Sequence, residues 1–174
     1  NVVMELTSSQ LSDFSGELFE VAKNTSQTFA TVAEAATEFA RQGLSAEETL
    51  RRVNDALVLT RLSGLDAVAS VEALTAVVNG FASAGLNTTD VINRLANVDA
   101  AFAVSSKDLA DALSRSGATA QSAGVEFNEL LAIVTSVQQQ TARGGAVIGN
   151  AFKSIFTRIQ RSKVRETLEG IGVA

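Results

Sequence analysis

Three stretches of this 174-residue chain repeat one phrase: Gly43-Leu-Ser-Ala-Glu-Glu-Thr-Leu50, Gly85-Leu-Asn-Thr-Thr-Asp-Val-Ile92 and Gly124-Val-Glu-Phe-Asn-Glu-Leu-Leu131. Each reads as a helix stop followed at once by a helix start. Glycine suits the left-handed position just past a helix end, where a Cβ would clash. The apolar residue after it can pack back as a staple. Ser45 or Asn87 then caps the next helix, with Glu48 or Asp90 three positions on. Glu126 is the poorest of the three caps. The spacings of 42 and 39 residues fit two helices and two connections per unit. The expected class is therefore all-α: about seven to eight short-to-medium helices joined by Gly-capped turns, arranged as stacked hairpins.

The remaining pattern agrees. Ser12 or Ser15 can open a first helix to about Lys23, followed by the polar break Asn24–Gln27, and Thr28 can cap a second. The third carries Ala46, Leu50, Val53 and Leu57 on one face, with Arg51, Arg52 and Asp55 turned away, and stops at Gly64. Asp66 caps a fourth, and a fifth after Gly85 shows Val91, Leu95, Val98 and Phe102 at helical spacing. Ser105 with Asp108 opens a sixth, expected to fray over the small polar run Ser116–Gly124. Phe127, Leu130, Val134 and Val137 define a seventh. An eighth follows Gly144-Gly145 with Ile148, Phe152, Ile155, Phe156 and Ile159, and Gly149 is expected to pack closely on a neighbouring helix. No stretch alternates with period two. Gly43, Gly64, Gly85, Gly124, Gly144, Gly145 and Gly149 are the expected structural turns and close contacts. The seven phenylalanines from Phe14 to Phe127 read as core anchors.

Composition closes off chemistry. Without Cys or His there is no disulfide framework, no nitrogen- or sulfur-ligated zinc and no Ser-His or Cys-His nucleophile. Proline is absent, where average usage gives roughly eight or nine, so helices should run unbroken. Gly144-Gly-Ala-Val-Ile-Gly149 has Asn150 and Ala151 where a phosphate loop needs Lys and Ser/Thr. The carboxylate pairs Glu47/Glu48, Asp108/Asp111 and Glu126/Glu129 sit in first turns, where the helix dipole explains them without a substrate. The expectation is no catalysis, no cofactor, no metal and no small-molecule substrate. The chain opens at Asn1 with no signal-peptide pattern and is expected to be a segment of something longer. Ala73–Thr89, its longest charge-free run, is too short and polar to span a bilayer.

Charge is unevenly placed. Residues 1–142 carry 8 basic and 17 acidic side chains, for −9; residues 143–165 carry six bases and no acid. Lys153, Arg158, Arg161, Lys163 and Arg165 make the eighth helix and its extension a basic amphipathic element, apolar on one side and basic roughly opposite. They are the candidate contact for an acidic partner: protein, DNA phosphate or anionic lipid. No aromatic residue shares their face, which disfavours single-strand stacking.

In order, Thr31-Val-Ala-Glu-Ala-Ala-Thr-Glu-Phe-Ala-Arg-Gln-Gly-Leu44, Gly64-Leu-Asp66, Val77-Val-Asn-Gly-Phe-Ala-Ser-Ala-Gly-Leu86, Val104-Ser-Ser-Lys-Asp-Leu-Ala-Asp-Ala-Leu113, Ala123-Gly-Val-Glu-Phe-Asn-Glu-Leu-Leu131 and Arg143-Gly-Gly-Ala-Val-Ile-Gly-Asn-Ala-Phe152 resemble the core region of phage tail tape-measure proteins. The resemblance covers about Thr28 to Ile159; Asn150 and Gln138–Gln140 depart from the family pattern. It implies a structural role inside the tail lumen or at the tail tip, assembled in the host cytoplasm. Such a protein sets tail length and leaves with DNA ejection. The implied partners are tail tube and tail-tip proteins, further copies around the tail axis, and transient DNA or host membrane. The expected division is 1–27 as leading helix and break, 28–161 as tape-measure core and 162–174 as the start of a connection. Two readings remain beside it: a helical-repeat adaptor with an apolar groove, and a membrane-active bundle inserting Ala73–Thr89 and Leu130–Ala142.

Overall fold

Six helix starts are held by the side chain of the residue just before them. In a computed structural model describing Met4 and residues 6–173, Thr7, Thr28, Ser45, Asp66, Asn87 and Ser105 each accept a backbone N–H three positions on. Such caps satisfy N–H groups that a helix cannot pair internally. They open α1 (Ser8–Thr25), α2 (Phe29–Ala40), α3 (Ala46–Ser63), α4 (Ala67–Gly80), α5 (Thr88–Ala101) and α6 (Ser106–Ser122). A short 3-10 turn, Ala82–Ala84, follows α4. Then come α7 (Phe127–Thr141), α8 (Gly145–Ile159) and α9 (Ser162–Gly170). No strand occurs among the described residues. The all-α reading holds, with nine helices described.

Gly43, Gly85 and Gly124 have φ between +64° and +82°, as the repeated phrase requires, and Gly64, which closes α3, has φ +71°. The glycines at 144, 145 and 149 behave differently. The left-handed residue closing α7 is Ala142 at φ 51°, while Gly144 is the residue before α8 and the other two are helical. The first helix also starts earlier than expected: Thr7, not Ser12 or Ser15, caps it through a reciprocal pair with Gln10.

The largest departure concerns α6. Its small polar stretch does not fray; it is the helix on which α3, α4, α5, α7 and α8 all pack. Small residues there admit neighbours. A Cβ on Gly117 would lie 3.0 Å from the Phe81 ring, and one on Gly80 would lie 3.0 Å from the Ala118 nitrogen. Phe81 is buried, edge-on to Phe127 at 5.4 Å between centroids. Such edge-to-face pairs favour their geometry by about 1 kcal/mol beyond burial.

Helices α6 and α8 run parallel and in register. A Cβ on Gly145 would overlap the Asp108 carbonyl; one on Gly149 would lie 2.7 Å from the Ala112 carbonyl oxygen, one turn further along both helices. At the far end, Gln160 Nε2 donates to the Thr119 carbonyl at 3.3 Å. The close packing expected at Gly149 is present, and Gly145 extends it.

The core runs through all of α2 to α7, from Val32 and Phe39 through Leu57, Leu74 and Leu95 to Leu113 and Leu130. Three phenylalanines expected inside are not: Phe19, Phe29 and Phe102 are 59%, 43% and 48% exposed. Phe102 ends α5 in extended backbone, which turns it out of the helical face it was assigned to.

These contacts set a measurable contrast. Gly149→Ala forces α8 off α6 and should cost about 2–3 kcal/mol, as overpacking does. Gly16→Ala, in the middle of α1 with nothing within 4 Å of the new methyl, should stabilise by about 0.5–1 kcal/mol. Thermal unfolding followed by circular dichroism distinguishes the two signs.

Candidate functional site

Each candidate from the sequence has a definite place. At the glycine run, a phosphate would need the free N–H groups at the start of α8. That position is filled from within: the Gly145 N–H donates to Asp108 Oδ1 at 2.7 Å. The two glycines that suggested a cradle are pressed against α6. The structure leaves no phosphate loop there.

Asp108 does more than cap its own helix. Its Oδ2 accepts from Ser105 Oγ at 2.9 Å and from Gln138 Nε2 at 2.8 Å, while Oδ1 holds Gly145. One half-buried carboxylate thus ties the starts of α6 and α8 to the end of α7. Both parallel helices direct their positive dipole ends toward it, where a negative charge is stabilising. Its partner in the expected pair, Asp111, takes no part.

Glu48 accepts from Arg52 Nε at 2.7 Å and from Arg51 at 2.5–3.1 Å. Burial pushes this carboxyl upward, but the hydrogen bonds and charges of Arg52 and Arg51 outweigh that and hold it below its ordinary value. An ionised, doubly paired carboxylate is a structural clamp. The third pair caps its helix from one side, with the Glu126 N–H donating to Glu129 Oε2 at 3.0 Å.

Two structural carboxylates had no sequence signal. Asp55, assigned to the outer face of α3, is buried and accepts from Thr88 Oγ1 at 2.6 Å and Thr89 Oγ1 at 2.8 Å, tying α3 to the first turn of α5. Asp99 accepts from the Ser106 N–H at 2.9 Å and from its hydroxyl, fixing the α5–α6 corner.

Lys153, Arg158, Arg161, Lys163 and Arg165 are all exposed, and none forms an ion pair among the described residues. The apolar side of α8 is split, contrary to the single stripe expected. Ile148 and Phe156 are buried against the core, but Val147, Ile155 and Ile159 are 52%, 52% and 42% exposed. With Ala151 they make a ridge at spacings of four, and Arg158 lies on the same side.

For the two other readings, an open apolar groove between α1 and α2 is lined by Leu11, Phe14, Leu18 and Phe29 and already flanked by Met4 and Leu6. No described helix is long and apolar enough to cross a membrane. Ala73–Thr89 is interrupted by the 3-10 turn, and its Val77 and Phe81 are core residues.

Carboxylates and glycines committed to internal junctions, with an unpaired basic end, define a close-packed helical structural protein. The family model described as phage-related minor tail protein matches residues 15–174. The chain belongs to that family and is a component of the phage virion tail. No solved structure matches it.

Two measurements check the junctions. Asp108→Ala should lower stability by about 2 kcal/mol in urea unfolding, through loss of a cap and stranding of Gln138. Asp111→Ala should change it by less than about 0.5 kcal/mol. Because the folded Glu48 carboxyl ionises more readily than the unfolded one, its stabilisation is present above the unfolded pKa and lost as pH falls through the folded one. Glu48→Gln should therefore cost about 0.5–1 kcal/mol at neutral pH, with parent and variant converging in acid.

Proposed function

We propose that this chain is the helical core domain of a tail tape-measure protein, a non-enzymatic part that sets tail length during assembly. In this reading it occupies the tail lumen, meets the tail-tip complex in several copies around the tail axis and leaves as DNA is ejected. The observation that carries the reading is the ordered series of helix-junction phrases from Thr31 to Phe152, within a chain that belongs to a tail family. The packing supports it. Every carboxylate pair singled out in the sequence includes a member tied into a clamp or cap, so the domain is built to hold shape. The basic end, Lys153 to Arg165, is the proposed contact with an acidic tail component.

A long in-frame deletion in the parent gene should shorten tails in negative-stain images, in proportion to the residues removed. Unchanged length overturns the ruler role. Reversing Arg158, Arg161 and Arg165 together should reduce plaque formation by at least about tenfold through lost electrostatic contact. Normal plaques remove the contact surface.

A further inference from the structure

Between Asp99 and Asp108 the chain leaves α5 and enters α6, and this corner meets the end of α7. An open cleft of about 550 Å³ lies there, bordered by Asp99, Phe102, Ser105, Asp108, Gln138 and Ala142. The ends of α5 and α7 bring it partial negative charge, about half a unit each, and the starts of α6 and α8 bring about as much positive charge. Those four contributions cancel. What remains is two carboxylates, Asp99 and Asp108, neither of which forms an ion pair among the described residues. Lys107 and Arg143, next in sequence to Asp108 and Ala142, are exposed and do not border the cleft. Two acceptors there are unengaged. The Ser106 N–H and hydroxyl both donate to Asp99 Oδ2, at 2.9 and 2.5 Å, so Oδ1 accepts nothing among the described residues. Gln138 is 7% exposed; its Nε2 donates to Asp108 Oδ2 at 2.8 Å, while its buried Oε1 has no hydrogen-bond partner. A buried acceptor without a donor is costly. Phe102, turned out of α5, adds a half-exposed aromatic ring at the same cleft.

We propose that this cleft receives an arginine side chain of a partner protein. A guanidinium has five N–H donors in a planar fork, enough for Asp99 Oδ1 and Gln138 Oε1 together, and its face can stack on the Phe102 ring. It also gives up its water more readily than the ammonium of lysine, which has no flat face to stack. A divalent metal ion suits the cleft less well. Calcium takes six to eight oxygen ligands, whereas both Asp108 oxygens already accept from Gly145, Ser105 and Gln138. No group of three metal-ligating side chains occurs among the described residues. The cleft is opposite in sign to the basic end of the chain, so it is a separate surface and does not rest on the contact proposed there.

The test is titration of the isotope-labelled 174-residue chain with N-acetyl-argininamide at low salt, followed by NMR amide shifts. Saturable shifts should appear at residues 102–106 and at the Gln138 side-chain amide, with a dissociation constant on the order of 1 mM for so small a probe. N-acetyl-lysinamide should bind at least about threefold more weakly. Asp99→Asn should weaken the arginine probe at least about tenfold by removing the charge, and Phe102→Ala about threefold by removing the ring. Asp111→Asn, on the same helix but outside the cleft, should leave binding unchanged. Circular dichroism checks that Asp99→Asn is folded; Phe102→Ala removes a half-exposed side chain and carries the comparison if it is not. No saturable shift up to about 50 mM probe overturns the proposal, as do shifts that survive both substitutions. Equal binding of the two probes overturns the choice of arginine, and a response to magnesium or calcium alone overturns it in favour of a metal ion. In phage, Asp99→Asn with Phe102→Ala should lower plaque formation at least about tenfold. Normal plaques overturn the partner contact and leave the ruler role, read from tail length, untouched.

Discussion

The arrangement of this protein depends on how closely α8 can lie against α6. Two glycines one turn apart remove the side chains that would hold the helices off, so backbone meets backbone at Asp108 and Ala112. Parallel neighbours align their dipoles unfavourably, and close contact sharpens the cost. Asp108 offsets it by placing one negative charge between two positive helix ends while satisfying the first N–H of α8. Gln138 brings α7 to the same carboxylate. Without this junction α8 loses its closest backbone contact with the rest of the protein.

Around that pair the other helices are arranged by size. Ser116, Gly117 and Ala120 give α6 a thin profile, which lets Phe81 and the end of α4 approach on another side. The many Ala in this core gain less per residue than Val, Leu or Phe, whose burial is worth about 1.5–3 kcal/mol each. Closeness substitutes for bulk here. It also explains why buried Asp55 is tolerated: both threonines at the start of α5 donate to it, so a charge taken from water is hydrogen-bonded at once.

Local features were legible in the sequence because capping is local. Thr28, Ser45, Asp66, Asn87 and Ser105 act three residues away, and the positive-φ glycines act within a single turn. What escaped notice was long-range. The run Ser116–Gly124 reads as weak helix by propensity, yet it is held by the neighbours that its small residues admit. Asp55 reads as an outer-face acid until the fold brings Thr88 to it, 33 positions on. The ridge on α8 is invisible to a helical wheel, because the wheel cannot say that two neighbouring helices will cover only one flank. The exposed basic run at the end of the chain was evident from composition, and Asp108's role as a node was not.

The register of α6 and α8 has a mechanical consequence. The chain enters α6 at the end where Asp108 sits and leaves α8 at the end where Gln160 meets Thr119, so pulling on the two flanks drags these helices past each other in opposite directions. Such sliding loads all the inter-helix contacts together instead of peeling them off singly. A unit strung along a polymer under tension would yield last at that seam, with the outlying α1 and α9 giving way first.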